Sequence, residues 1–297
     1  MKSGFAGIIG RPNVGKSTLL NSILGEKVAI TSDKPQTTRN VIRGIYTRMD
    51  GEGDGLQIVF IDTPGIHRPR SKLGGRMTDM AVNTLKEVDA VLFMVDDEPG
   101  AGDRYIMELL AGVSTPKLLA INKIDVIEPD RFRRIYEEYE GTGLFDHIHG
   151  ISAKEGRNVE LPVNAISGCM PDGPMYFPED MITDHPERFI AAEIIREKTL
   201  LYLDEEVPHG VAVEIEGYSE LPGLSRIGAV IYCEKKSHKG IIIGKDGRKL
   251  KGVGKSARLE MEALFGVKVY LELWVKVKEN WRDSDAALAG FGYSAGR

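Results

Sequence analysis

The chain has only two cysteines, Cys169 and Cys233, in 297 residues. Two thiols make no disulfide framework and fit a reducing compartment. Neither lies in a C-x-x-C pair or near a histidine, so no metal is assigned to them. No apolar run approaches the roughly 20 residues of a membrane span, which leaves only peripheral membrane contact open. A strand pattern begins almost at residue 1 and leaves no room for a signal peptide, so a cytoplasmic setting is expected. Internal repeats are absent, which excludes solenoids and propellers. No excess of basic residues marks the whole chain: its net charge is −5. With 42% hydrophobic residues it can bury one large core or two modest ones.

What is present starts with Gly10-Arg11-Pro12-Asn13-Val14-Gly15-Lys16-Ser17-Thr18, which fits the phosphate-binding pattern G-x-x-x-x-G-K-[ST]. The apolar run 5–9 precedes it, and apolar residues at helical spacing follow from Thr18 to Leu24. The motif thus sits at a strand-to-helix turn, where backbone N–H groups and a helix N-terminus meet phosphate oxygens. Lys16 is placed to reach the β- and γ-phosphates, and the Ser17 hydroxyl to ligate Mg²⁺.

Asn122-Lys123-Ile124-Asp125 names the base. It follows the strand pattern 117–121, at the sheet edge where open α/β sheets bind ligands. A carboxylate at Asp125 accepts from both N1–H and the 2-amino group of guanine, and adenine offers neither. Asn122 is expected to tie this loop to the P-loop, and the Lys123 stem to cover the base. Ser152-Ala153-Lys154 follows another short apolar segment, and the Ala153 N–H is assigned to guanine O6.

Asp62-Thr63-Pro64-Gly65 ends the strand 56–61. Asp62 is expected to hold Mg²⁺ through water, and the Gly65 N–H to sense the γ-phosphate. Between these motifs lies Lys34-Pro35-Gln36-Thr37-Thr38-Arg39. One of its threonines should complete the metal shell, Thr38 in preference to Thr37. The order of the five elements is that of a switch GTPase, in which γ-phosphate contacts order two loops and hydrolysis releases them. The second loop, 65–78, is glycine-rich and basic and reads as mobile.

Residues 1–170 alternate strand and helix patterns, as in a doubly wound, mostly parallel α/β domain. The acidic-glycine stretch 50–55 reads as a hairpin loop that adds one antiparallel pair. A Pro- and Gly-containing linker is placed at 171–180, and a second domain, 181–297, follows in the order α-β-β-α-α-β. Within it, Ile243-Gly244-Lys245-Asp246-Gly247-Arg248-Lys249 holds a G-x-x-G loop between two helical patterns, with Lys251 just beyond. That is the KH-type clamp for about four single-stranded nucleotides. From Glu234 to Arg258 nine Lys or Arg accompany two acids, a charge of +7, so the rest of the chain is −12. A basic stripe on an acidic protein is a localised nucleic-acid footprint.

With both halves read, the chain resembles the Era family, bacterial GTPases joined to a C-terminal KH domain. The likeness rests on GRPNVGKST at 10–18, QTTRN at 36–40, DTPG at 62–65, NKID at 122–125, SAK at 152–154, FPEDMITD at 177–184, AAEIIREK at 191–198, the G-x-x-G loop and LELWVKVKENW at 271–281. The resemblance implies an α/β P-loop GTPase domain plus an α+β KH domain of type II. It also implies a Mg²⁺-dependent GTPase acting in small-ribosomal-subunit assembly, with the single-stranded 3′ end of small-subunit (16S) ribosomal RNA as partner. Loose association with the inner face of the cell membrane is implied as well. Two other functions stay open at this point: an RNA-binding factor that only senses nucleotide, and an accessory GTPase of tRNA modification.

Ile66 stands where Ras-like enzymes carry the glutamine that orients the attacking water. Slow intrinsic hydrolysis follows, unless a substitute is supplied. Relatives lacking this glutamine recruit K⁺ through a P-loop asparagine, the position of Asn13 here. The alternative is that Asn13 closes its loop by hydrogen bonding its own backbone. The catalytic set is therefore Lys16, Thr38, Gly65 and Asn13.

Overall fold

The computed structural model describes residues 1–34, 36–49, 51, 55–69, 71–203 and 207–293. The first 170 residues build β1 (Lys2–Gly10), α1 (Lys16–Leu24), β2 (Ile42–Met49), β3 (Gly55–Asp62), α2 (Lys72–Thr84), β4 (Ala90–Val95), α3 (Ala101–Ala111), β5 (Lys117–Ile121), α4 (Pro129–Glu140), β6 (His147–Gly150) and α5 (Glu160–Cys169). The six strands form one sheet in the order β2-β3-β1-β4-β5-β6. Every neighbouring pair is parallel except β2 and β3. Helices cover both faces, so the central strands are buried on both sides and read as continuous apolar runs. In β3 and β4 every residue is buried. The acidic-glycine loop expected at 50–55 falls mostly outside the described residues, but the β2–β3 ladder reaches Met49 opposite Gly55 on either side of it.

The segment read as a linker is laid along the first domain rather than suspended from it. Ser3 N–H donates to the Pro171 carbonyl at 3.0 Å and Gly173 N–H to the Met1 carbonyl at 3.1 Å. The buried amide of Gln57 accepts from the N–H groups of Tyr176 and Phe177 and donates to the Phe177 carbonyl. Further on, Ile45 N–H donates to the Ile182 carbonyl and Arg43 pairs with Asp184 at 2.8 Å. The contacts of 182–184 lie along the free edge of β2, whose unpaired backbone groups need partners.

The second half builds α6 (Glu187–Leu201), β7 (Ala212–Leu221), β8 (Leu224–Cys233), α7 (Lys236–Ile243), α8 (Arg248–Phe265), β9 (Lys268–Val277) and α9 (Asp285–Gly290). The sheet order is β7-β8-β9, antiparallel then parallel. Apart from α9, this is the α-β-β-α-α-β order expected from the sequence. Its core gathers Ile194, Ile231, Val253, Ala257 and Met261.

The stretch 65–78 differs from its reading as a mobile loop. Its C-terminal half is the start of α2, with the Ser71 hydroxyl capping the helix by accepting from Gly74 N–H at 3.1 Å. Leu73 and Met77 are fully buried against Trp281, Leu288 and Tyr293 of the second domain. Two of its four basic residues are engaged: Lys72 and Arg76 pair with Asp285 of α9 at 2.6 and 2.8 Å. The physical reason is tertiary, because an apolar face of α2 meets α9 and the preceding turn.

Candidate functional site

The P-loop crosses from β1 to α1 as the sequence pattern requires. Gly15 has φ of 104°, and a Cβ there would lie 2.2 Å from the Asn122 amide nitrogen, so only glycine fits. Lys16 is buried, and its ammonium donates to the carbonyls of Gly10 at 3.3 Å and Arg11 at 3.0 Å. Burial draws its pKa down to about 8, opposed by Asp62. The P-loop, the first switch loop and the N-K-x-D loop line a cavity of about 340 Å³, which includes Asn13, Lys16, Ser17, Thr18, Thr38, Gly65, Asn122, Lys123, Asp125 and Lys154.

Three hydroxyl and carboxylate oxygens from three separate segments meet beside Lys16. Ser17 Oγ lies 2.8 Å from Thr38 Oγ1 and donates to Asp62 Oδ2 at 2.5 Å. The other Asp62 oxygen is buried without a hydrogen-bond partner. Burial pushes the Asp62 carboxyl up to about 6, against the pull of Lys16 and Ser17. Of the two threonines, Thr38 joins this cluster, while the Thr37 hydroxyl donates to the Lys34 carbonyl at 2.6 Å. An orphaned carboxylate oxygen flanked by hydroxyls is a hard, all-oxygen donor set that suits Mg²⁺.

The base-reading loops interlock. Asn122 is buried; its amide donates to the Val14 carbonyl at 2.7 Å, tying this loop to the P-loop. Lys123 donates to the Asn13 carbonyl at 3.2 Å and pairs with Asp96 at 2.6 Å. Asp125 is exposed, and a hydrogen bond from Ser152 holds its carboxyl below the usual range. One assignment changes. The Ala153 N–H given to guanine O6 donates instead to Asn122 Oδ1 at 2.9 Å, because Ala153 is buried beneath the loop. Lys154, one residue on, lines the cavity.

Asn13 does not hydrogen bond its own backbone. It adopts φ of 65°, and its amide nitrogen donates to the Asp33 carbonyl at 2.7 Å, joining the P-loop to the first switch loop. Ile66 is fully buried in the core.

In the second domain the G-x-x-G loop joins α7 to α8. Gly244 has φ of 71° and ψ of 173°, a region that only glycine occupies readily, and a Cβ there would lie 2.8 Å from Lys249. Gly247 has φ of 73° with open space on the Cβ side and starts α8. Ile243 is half-buried, while Lys245, Asp246, Arg248 and Lys251 are exposed. Arg248 lies 3.7 Å from Asp246, and the Lys249 ammonium donates to the Tyr202 carbonyl at 3.2 Å.

Sequence reading missed a set of buried charges between the domains. Arg39, next to Thr38, is 1% exposed. Its guanidinium donates to the carbonyls of Val211 and His209 and lies 5.6 Å from the Trp281 ring centre. Glu193, Arg196 and Glu197 on α6 are buried as well. AAEIIREK carries four charged residues, and Glu193, Arg196 and Glu197, at i, i+3 and i+4, share one helix face that the pattern alone does not distinguish from a solvated one.

The fold and the cavity define a guanine-nucleotide-binding P-loop protein of the switch class carrying a KH domain. Comparisons agree. A family model described as 50S ribosome-binding GTPase matches residues 5–123, and one described as KH domain matches residues 206–282. GTPase Era of Alkaliphilus oremlandii (strain OhILAs) is 60% identical over 296 residues, covering 98% of this chain and 99% of the relative. GTPase Era of Clostridioides difficile (strain 630) is 53% identical and covers 99% of each. Among solved structures, Era in complex with MgGDPNP and nucleotides 1506–1542 of 16S ribosomal RNA matches with a TM-score of 0.94 at 41% identity, covering 99% of each chain. A single-residue variant of Aquifex aeolicus Era bound to GDP·AlF4⁻ matches with a TM-score of 0.94 at 40% identity, covering 99% of this chain and all of that one. The chain belongs to the Era family of GTPases.

Proposed function

We propose that this protein is a Mg²⁺-dependent GTP-hydrolysing switch that binds the single-stranded 3′ end of small-subunit ribosomal RNA and acts in small-subunit assembly. The observation that carries the reading is the meeting of Ser17, Thr38 and Asp62 beside the buried Lys16, in a cavity that also contains Asp125. Thr38 belongs to a loop, so the cluster is complete only when that loop is in place, which is the requirement of a switch. The relatives' complexes with MgGDPNP, GDP·AlF4⁻ and 16S RNA support the same reading.

In this reading Asp125 accepts from guanine, with Asn122 and Lys123 bracing the loop against the P-loop. The N–H groups of 13–18 and Lys16 hold the phosphates. Ser17 and Thr38 would hold Mg²⁺ directly and Asp62 through water, and the ion when bound neutralises phosphate charge. The Gly65 N–H meets the γ-phosphate, whose loss frees both loops. Residues 243–249 and Lys251 hold the RNA backbone. Crosslinking of the GTP-loaded protein to a mixture of ribosomal and transfer RNA is expected to recover the 3′ end of the small-subunit RNA. Selective recovery of transfer RNA would overturn this in favour of an accessory role in tRNA modification. Cytoplasmic residence, with loose contact at the inner face of the cell membrane, is part of the proposal and rests on the family resemblance. Among the described residues no helix is long and apolar enough to cross a membrane.

Hydrolysis in this proposal is slow and cation-sensitive. Ile66 is apolar and buried, so it orients no water. The Asn13 amide nitrogen is committed to Asp33, which leaves its oxygen as the atom to meet a K⁺ ion. Turnover is expected to be faster in K⁺ than in Na⁺, and Asn13→Ala to remove the difference. Equal rates in the two salts would contradict the K⁺ role and point to a protein or RNA activator.

A further inference from the structure

Helix α6 of the second domain buries three charges, Glu193, Arg196 and Glu197, at 7%, 1% and 2% exposure. Such residues are almost never buried unless paired. They pair partly with one another and partly with the chain that leads through the first switch loop. Arg196 is held by both oxygens of Glu193, at 2.9 and 2.5 Å, and the same guanidinium donates to the carbonyl of Thr37. Glu197 accepts from the Thr31 N–H at 2.9 Å and pairs with Lys27 at 2.6 Å. From the opposite direction Arg39 reaches into the second domain, to Val211 and His209. Thr38 therefore has the residue before it and the residue after it both fastened to the second domain. Its own hydroxyl sits 2.8 Å from Ser17.

We infer that Arg196, with Arg39, is a positioning residue for the GTP site: the RNA-binding domain sets Thr38 in place by holding the carbonyl of the residue before it and the side chain of the residue after it. This rests on the function proposed above and names the device that links its two sites. The clasp is incompletely satisfied. Arg196 Nη1 and Arg39 Nε are buried without partners. A buried ion with unmet hydrogen bonds gives back much of its pairing energy as desolvation, so this contact is suited to letting go when the loop is released. A packed path also runs from the G-x-x-G loop to the clasp. Lys249 of α8 holds the Tyr202 carbonyl just beyond α6, and Glu260 of α8 pairs with Lys27 at the base of the switch loop.

The inference separates the two nucleotides. GDP has no γ-phosphate and does not require Thr38, whereas a GTP analogue does. In the full chain, Arg196→Met and Arg39→Met are expected to weaken binding of a non-hydrolysable GTP analogue by about tenfold, within the usual range of coupling between sites. GDP affinity should stay within about twofold, and single-turnover hydrolysis should fall. Arg196→Lys, which keeps the charge but not the fork, should lie between. Arg196→Met leaves Glu193 buried without its partner, so the double variant Glu193→Gln/Arg196→Met provides a second reading if the single one misfolds. Equal losses for GDP and analogue, or no loss for either, would make the clasp an ordinary domain contact and overturn the inference. Failure of the unaltered protein to bind guanine nucleotides would instead defeat the function on which it rests.

Discussion

Asp125→Asn is expected to weaken GTP binding by at least about a hundredfold and to improve binding of xanthosine triphosphate. A site built on hydrogen bonds to a base discriminates strongly against a base that leaves those bonds unmade. The carboxylate accepts from the guanine N1–H and 2-amino group; an amide in its place presents one donor and one acceptor. That donor fits the 2-oxo group of xanthine, so the loss for one base is a gain for the other. The surroundings agree with an ionised acceptor, because Ser152 holds the Asp125 carboxyl below the usual range. The loop is also rigid, with Asn122 bonded to both Val14 and Ala153. Competition between the two triphosphates measures the effect. Full retention of the GTP preference would show that this loop does not read the base.

Gly247→Asp should abolish binding of a short single-stranded RNA from the small-subunit 3′ end while basal GTP hydrolysis continues. Gly247 is the better of the two loop glycines to change. At Gly244 any side chain would collide with Lys249, so a variant there confuses binding with folding. At Gly247 the Cβ meets nothing, and aspartate tolerates φ of 73° better than most residues. The added carboxylate blocks the close backbone approach and repels phosphate. Lys249→Ala should do less, since its ammonium is already shared with the Tyr202 carbonyl. RNA titration of both variants at one fixed salt concentration decides the matter. Unaltered RNA affinity in Gly247→Asp would move the binding site elsewhere on the domain.

The nucleotide cavity was legible because each of its loops carries a short motif of fixed spacing. Gly15 takes a left-handed φ of 104°, and Lys16 and Ser17 follow at once along the chain. The Ala153 N–H shows the limit: the motif marks the loop correctly, but the partner of one donor depends on packing under Asn122. The parts that join the two domains were not legible. Thr37 and Arg196 lie 159 residues apart, so no pattern along the chain relates them. The charges of α6 look like a solvated face until the switch loop is seen against them. Helix α9 is only six residues long and has no turn-to-turn repeat to read. The linker's prolines and glycine announced irregular backbone and said nothing of Gln57, where its hydrogen bonds go.

The central claim is that the nucleotide state governs RNA binding through contacts that reach both switch segments. Arg196 and Arg39 fasten the first, and Asp285 with Leu288 fastens the second. The most direct test is the affinity of the full chain for the small-subunit 3′-end RNA, measured once with a GTP analogue bound and once with GDP. The account predicts tighter RNA binding in the analogue state, and tightening of the analogue by RNA through the same factor, as linkage requires. Identical RNA affinities in the two states would contradict it, leaving two independent binding domains on one chain.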